Sequence, residues 1–317
     1  MGNVLVTGAN GFIGRALCES LTQNGYRVRP VVRGERGVIG GSPPFVVNEI
    51  DCHTDWTAAL TDVQVIVHLA GRVHQKQEES TEALQAYSRV NTEGTLNLAR
   101  QAISAGVKRF VFVSTVKVNG EGGNLVYSED NIPHPTDSYA ISKWEAEKAL
   151  MRISETTGME VVIIRPPLVY GPGVKANFLN MMQWLYRGVP LPLGTIHNKR
   201  SLVALDNLID LITTCINHPA AANQLFLVSD GEDLSTSELL VRTAAALGVE
   251  ARLISVPELC VRIMGTILGK RDTSQRLCGS LQVSISKAQN LLGWSPPISV
   301  NDGLRQTAMH FLTRKQH

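Results

Sequence analysis

The chain lacks a cysteine framework. Its five cysteines, Cys18, Cys52, Cys215, Cys260 and Cys278, are scattered over 317 residues, odd in number and without a CxxC pair. That argues against a disulfide scaffold or a zinc site and for a reducing compartment. Charge of one sign is also lacking: the net charge is only +2, which gives no case for a nucleic-acid surface. No apolar run approaches the roughly 18 residues of a membrane span. The most apolar late stretch, "LISVPELCVRIMGTILG", is interrupted by Pro257, Glu258 and Arg262 and reads as a buried or interface helix. "MGNVLVTGAN" runs directly into a strand and a glycine loop, so no signal peptide is expected and the expected location is cytoplasmic. His53, His68, His74, His134 and His197 show no metal-ligand spacing; no metal site is expected, and they read as structural.

What is present is a rhythm. "NVLVTG", "RVRPVV", "PFVVNEI", "VQVIVHLAG", "RFVFVST" and "EVVIIRP" are short runs rich in Val and Ile. Between them lie helical patterns such as "FIGRALCESLTQNG" and "SYAISKWEAEKALMRISETTG", with Gly25, Gly106 and Gly158 where helices should stop. Near-continuous apolar strands alternating with helices predict an α/β domain, a doubly wound parallel sheet covered on both faces. After Pro167 the chain becomes loop-rich, although "ALDNLIDLITTCINH" and "NQLFLVSD" read as a helix and a strand returning to the sheet. The reading is a dinucleotide-binding domain over 1–167 plus roughly 200–230, and a smaller, interleaved C-terminal substrate domain over 168–199 and 231–317. Ser235 and Glu238 stand at capping-box spacing within the latter.

Gly8, Gly11 and Gly14 in "VLVTGANGFIG" follow the first strand and open a helix at Phe12. Glycines let backbone approach a pyrophosphate, and a helix N-terminus offers free N–H groups and a positive dipole end. An acid at the end of the second strand would hold the 2′-hydroxyl of NAD. Here that strand ends in Arg33, with Arg36 nearby; arginine can pair with a 2′-phosphate, so NADP(H) is favoured and NAD(H) remains possible. Asp51, after the third strand, is placed either to hold an adenine edge or to cap the next helix.

In "SYAISK", Tyr139 and Lys143 share a helix face at i,i+4, with Asp137 or Ser138 as N-cap. An ammonium beside a phenol lowers the phenol's pKa and makes it a usable acid or base; an ordinary surface pair has the same spacing.

"TGANGFIG", "HLAG", "NTEGT", "VSTVKVNG", "YAISK" and "RPPLVYGPG" occur in one order. Together they resemble the extended short-chain dehydrogenase/reductases acting on nucleotide sugars, over nearly the whole chain. The most similar groups are UDP-sugar 4-epimerases and bacterial 4-reductases of UDP-4-keto-6-deoxy-N-acetylhexosamines, which serve O-antigen synthesis. The resemblance implies a Rossmann-type fold and a homodimer. It implies that Tyr139 is the acid/base and that Lys143 lowers its pKa and bonds the nicotinamide ribose. A catalytic hydroxyl is implied at Thr115 or its neighbour Ser114. Cofactor positions implied are Gly8, Asn10, Gly11, Phe12, Ile13, Gly14, Arg33, Asp51, Cys52, Leu69, Ala70, Gly71, Asn91 and Pro166, besides Tyr139 and Lys143. Asn91 could instead cap its helix.

For a UDP-sugar, the resemblance implies Asn177, Arg200 and Arg276 at the diphosphate, Leu191 and Leu193 beside uracil, and His74 near the sugar. Two departures stand out. Where the family's dehydratases carry an Asp–Glu pair, this chain has Val116 and Lys117, which argues against water elimination. Where "VYG" is usual, it has Asn119. The expected activity is NAD(P)H-dependent reduction of a C4 ketone of a UDP-4-keto-6-deoxy-N-acetylhexosamine. UDP-sugar 4-epimerisation with bound NAD is the alternative, and a non-catalytic NADP(H) sensor the third reading.

Overall fold

The computed structural model describes residues 2–34, 37–73, 81–267, 269 and 271–315. Arg36 and His74 lie outside them. Seven parallel strands form the central sheet: β1 (Asn3–Thr7), β2 (Arg27–Arg33), β3 (Phe45–Val47), β4 (Val65–His68), β5 (Arg109–Val113), β6 (Glu160–Arg165) and β7 (Gln224–Leu227). Their spatial order is β7-β6-β5-β4-β1-β2-β3. This is a Rossmann-type, doubly wound α/β sheet. The chain reverses direction across it between β1 and β4, and in such sheets ligands enter outside the carboxyl ends at that switch point.

Period-2 alternation builds both faces. Val4, Val6, Val111, Val113, Val162 and Ile164 pack with helices α1 (Phe12–Gln23) and, later in the chain, Leu205–Asn217. Leu5, Ile66, Phe110, Phe112, Val161 and Ile163 pack on the other face against α2 (Thr95–Ser104) and α3 (Ser138–Thr157). Strands buried on both sides need apolar residues at every position, which is why the sequence reads as unbroken Val/Ile runs. Gly25, Gly106 and Gly158 all take positive φ at helix ends. Arg109, buried, donates to the carbonyls of Cys215, Ile216 and His218 at the end of Leu205–Asn217, satisfying oxygens with no partner inside the helix.

A second core gathers Tyr170, Phe178, Met182, Leu185, Leu191, Leu193, Leu240 and Phe311. A three-stranded sheet, Leu168–Tyr170, Arg200–Ala204 and Asp233–Leu234, runs along it. The Ser235–Glu238 capping box is formed. The short strand Gln282–Val283 pairs with Val126–Tyr127, so the last third of the chain is stitched to the loop beyond β5. The late apolar stretch forms a helix, Glu258–Ile267, with only Val261 buried; Leu259 and Ile267 are exposed. It is a partly uncovered surface helix rather than a buried one.

Candidate active site

At the switch point, Gly8 (φ +66°) turns the chain out of β1. A Cβ there would meet the backbone of Leu69 and Ala70 at about 3 Å, so this turn packs directly on the loop leaving β4. A Cβ on Gly14 would overlap the Gly8 carbonyl oxygen. Gly11 is exposed at the N-cap of α1, with Asn10, Phe12 and Ile13 half-buried beside it. No side chain caps this helix, so its first N–H groups face outward, as an anionic ligand requires. The loop therefore fits a pyrophosphate: Gly8 and Gly14 let the turn pack on backbone that no side chain could approach, and Gly11 leaves the start of α1 uncovered.

Beneath the cradle lies a buried relay. The Ala70 N–H donates to Thr7 Oγ1 (3.2 Å), which contacts His68 Nδ1 at 2.7 Å. His68 Nε2 contacts Thr95 Oγ1 at 3.0 Å, and Thr95 donates to the Asn91 carbonyl (2.7 Å). Thr95 spends its hydrogen on Asn91, so Nε2 carries the proton and Nδ1 accepts from Thr7. Burial, with Lys143 adding to it, pushes His68 down to about 3, so it is neutral. His68 is structural, as its spacing suggested; no sequence signal named its partners.

Asn91 sits in a π-helical turn, Ser88–Gly94, between two α-helical segments. Its Oδ1 accepts from the Arg72 N–H (2.8 Å), and its Nδ2 donates to the Arg72 carbonyl (3.0 Å) and to Ser142 Oγ (3.0 Å). It thus clamps the loop after β4 to α3. Helix capping, the other sequence-based reading, is not what its side chain does.

Asp137 is the N-cap of α3, accepting the Ala140 N–H at 2.7 Å. Tyr139 and Lys143 follow on one face, and Tyr87 packs edge-on against Tyr139 at 6.1 Å between ring centroids. Lys143 is fully buried; its Nζ donates to the Val113 carbonyl (2.9 Å) and lies 4.4 Å from the centre of the Phe112 ring. Burial lowers it to about 8, against a smaller upward pull from Glu147. The spacing with lysine predicted a lowered Tyr139 phenol, and the structure shows the reverse. Burial, then Asp137, then Tyr87 push it above the usual tyrosine range. The reason is dehydration: a low-dielectric surrounding disfavours the phenolate, and the Lys143 ammonium is turned to the Val113 carbonyl.

Thr115 and Ser114 extend β5. Thr115 Oγ1 accepts the Lys117 N–H at 3.3 Å, leaving its own hydrogen to donate. Ser114 Oγ is buried with no hydrogen-bond partner. Pro166 supports this turn through its carbonyl, which accepts from Val116 N. Asn119 does not face a sugar pocket. It is 2% exposed and accepts from Arg165 at 2.9 Å, while Arg165 forms a fully buried pair with Glu147 on α3. The altered "VNG" thus belongs to an internal network behind Lys143.

Arg33 is exposed at the end of β2. Asp51 is engaged by Arg89 (2.8 Å) and by the His53 N–H (2.9 Å), which hold its carboxyl down at about 2; Cys52 beside it is exposed. On the opposite wall, Asn177 is exposed in the first turn of Ala176–Tyr186. Arg200 donates to the carbonyls of Arg276 (2.8 Å) and Gly279 (3.0 Å). The Arg200 guanidinium therefore lies against the backbone at Arg276, whose own side chain is exposed. Leu191 and Leu193 are buried in the second core; the Leu191 N–H donates to the Arg252 carbonyl and its own carbonyl accepts from Leu193 and Ile254, while the Leu193 carbonyl accepts from Ser237. Among the described residues no cluster suits a metal ion, and no helix is long and apolar enough to cross a membrane.

This sheet, glycine cradle and Tyr–Lys helix define a short-chain dehydrogenase/reductase of the extended type. The chain belongs to the NAD dependent epimerase/dehydratase family, whose model matches residues 4–228. It is 48% identical to a UDP-glucose 4-epimerase from Vibrio cholerae over 98% of this chain and 95% of that one. The UDP-glucose 4-epimerase of Thermotoga maritima, solved with UDP-glucose, superposes with a TM-score of 0.78 at 22% identity, covering 99% of both chains. RMD from Pseudomonas aeruginosa, solved with NADPH, gives 0.75 at 21% identity, covering 98% of this chain and 99% of that one.

Proposed function

We propose that this chain is a nicotinamide-dependent UDP-hexose 4-epimerase. The observation that carries it is the 48% identity to a UDP-glucose 4-epimerase over nearly both full lengths. It supports the epimerase alternative better than the 4-ketoreductase first expected from the sequence. The bound nicotinamide would supply a reversible hydride acceptor at C4. Gly8, Gly11 and Gly14 would hold its pyrophosphate by backbone approach, and Lys143 its ribose. Tyr139 takes the proton of the C4 hydroxyl at its phenolic oxygen and returns it after the sugar turns over. Thr115, whose hydroxyl hydrogen is free to donate, steadies the C4 oxygen, with Ser114 as the neighbouring hydroxyl. Arg200 and Arg276 hold the diphosphate, and Asn177 joins them. Val116 and Lys117 stand in place of a carboxylate pair, which argues against water elimination. A homodimer follows from the family resemblance.

The test is to incubate purified protein with UDP-glucose and UDP-N-acetylglucosamine without added cofactor and to separate the 4-epimers by chromatography. Interconversion is expected. One observation favours the reductase: β2 ends in exposed Arg33 with no acid at that position. Stoichiometric NADPH oxidation by UDP-4-keto-6-deoxy-N-acetylglucosamine, with no interconversion, would replace the epimerase by that reading.

A further inference from the structure

We propose that Lys117 is a positioning residue whose ammonium offsets part of the negative charge of Asp137, the carboxylate that caps the Tyr139 helix two residues before the phenol. The inference rests on Tyr139 being the acid/base.

The geometry is a fork. Lys117 Nζ lies 2.5 Å from Asp137 Oδ2 and 3.0 Å from Glu121 Oε1. The other Asp137 oxygen, Oδ1, accepts the Ala140 N–H at the start of α3. The Lys117 backbone N–H donates to Thr115 Oγ1. One residue therefore touches the candidate hydroxyl through its backbone and the cap of the Tyr139 helix through its side chain. The Lys117 and Asp137 side chains are only 22% and 16% exposed, so their attraction is less screened than that of a surface pair.

A carboxylate is a strong N-cap, because it both accepts the free N–H and suits the positive end of the helix dipole. Two residues from the working phenol it is a liability: Asp137 is, after burial, the largest influence raising Tyr139. Among the described residues, Tyr87 from Thr81–Tyr87 also faces Tyr139, with the Arg72 guanidinium 5.6 Å over its ring, and Lys143 shares α3 with it. Lys143 points to the Val113 carbonyl, and Arg72 lies beyond Tyr87. Lys117 is a cation in direct contact with that carboxylate. Glu121 holds the far side of its ammonium and also feels Arg200.

Phenolate is the species that tetranitromethane nitrates, so the rate of nitration at Tyr139, read by mass spectrometry of its peptide at pH 8, reports the phenolate fraction without any sugar. Lys117→Met should slow it about threefold to tenfold, the size of a half-unit to one-unit rise. Lys117→Arg should leave it unchanged. Lys117→Met combined with Asp137→Ser keeps a capping oxygen, removes the charge and should restore the rate. The same three variants should show the same pattern in kcat, with KM unmoved. A Lys117→Met protein that nitrates Tyr139 like the wild type overturns the proposal. So does a slowed rate that Asp137→Ser does not rescue, because that would mark a purely structural role. Absence of epimerase activity in the wild type would count against the proposed reaction; nitration would still decide the role of Lys117.

Discussion

The two walls of the candidate site are built differently. The wall at the switch point is backbone and small residues: Gly8, Gly14, Ala70 and Gly71, backed by the zero-exposure side chains of His68 and Asn91. The wall proposed for the substrate is long polar side chains, Asn177, Arg200 and Arg276. A cofactor common to a whole family can be met by fixed backbone, where any added atom collides. A substrate that enters and leaves is met by side chains that reach. Perturbations should therefore be steep and local on the first wall and graded on the second.

The largest effect tests the centre between the walls. Tyr139→Phe should lower turnover by about a hundredfold to ten-thousandfold while leaving cofactor binding intact, measured by product formation and by nicotinamide fluorescence. On the first wall, Gly14→Ala should weaken cofactor binding by at least about tenfold, because its Cβ meets the Gly8 carbonyl and the Ala9 Cα, which are backbone and have nowhere to go. Equilibrium titration checks this; unchanged affinity would show that the cradle yields. On the second wall, Arg200→Leu should raise KM for the UDP-sugar by about tenfold to a hundredfold, the worth of hydrogen bonds to a charged group, with a smaller change in kcat. Arg276→Leu, at an exposed position, should do less. Equal effects of the two would erase the proposed gradation.

The smallest effect concerns stability. Lys143 is lowered from 10.5 to about 8 in the fold. Between those values the unfolded chain binds the proton that the native chain has released, so native stability rises with pH over that interval. Below pH 8 the buried ammonium is a burden, and Lys143→Met should be more stable than the wild type by on the order of 1 kcal/mol. Urea midpoints at pH 7 and pH 10 should show this advantage shrinking as pH rises. A constant difference would mean that the amine is not the cause.

The contrast between the walls also explains what could be read in advance. The glycine loop, Tyr139–Lys143, the caps at Asp137 and Ser235 and the doubly wound sheet depend on neighbours within about four residues, or on a period of two. Such information is local. The role of Asn119 was not legible, because its partner Arg165 lies 46 residues away on another strand. Nor was the direction of the Tyr139 shift: spacing located the lysine, while burial by surrounding elements outweighed it. Leu191 and Leu193, matched by motif, have their side chains in the second core, which is assembled from segments far apart in the chain.

By itself the sequence determined the alternation of strands and helices, the glycine turn and the face shared by Tyr139 and Lys143. Backbone freedom, capping and side-chain periodicity are set by adjacent residues and survive any tertiary arrangement. Only the tertiary structure decided that Lys117 pairs with the cap of the Tyr139 helix, that His68 is locked neutral under the cradle and that the Arg200 guanidinium lies against the Arg276 carbonyl. Charges, burial and hydrogen-bond partners depend on distances in space, and the crossovers of this sheet bring together residues that lie tens of positions apart.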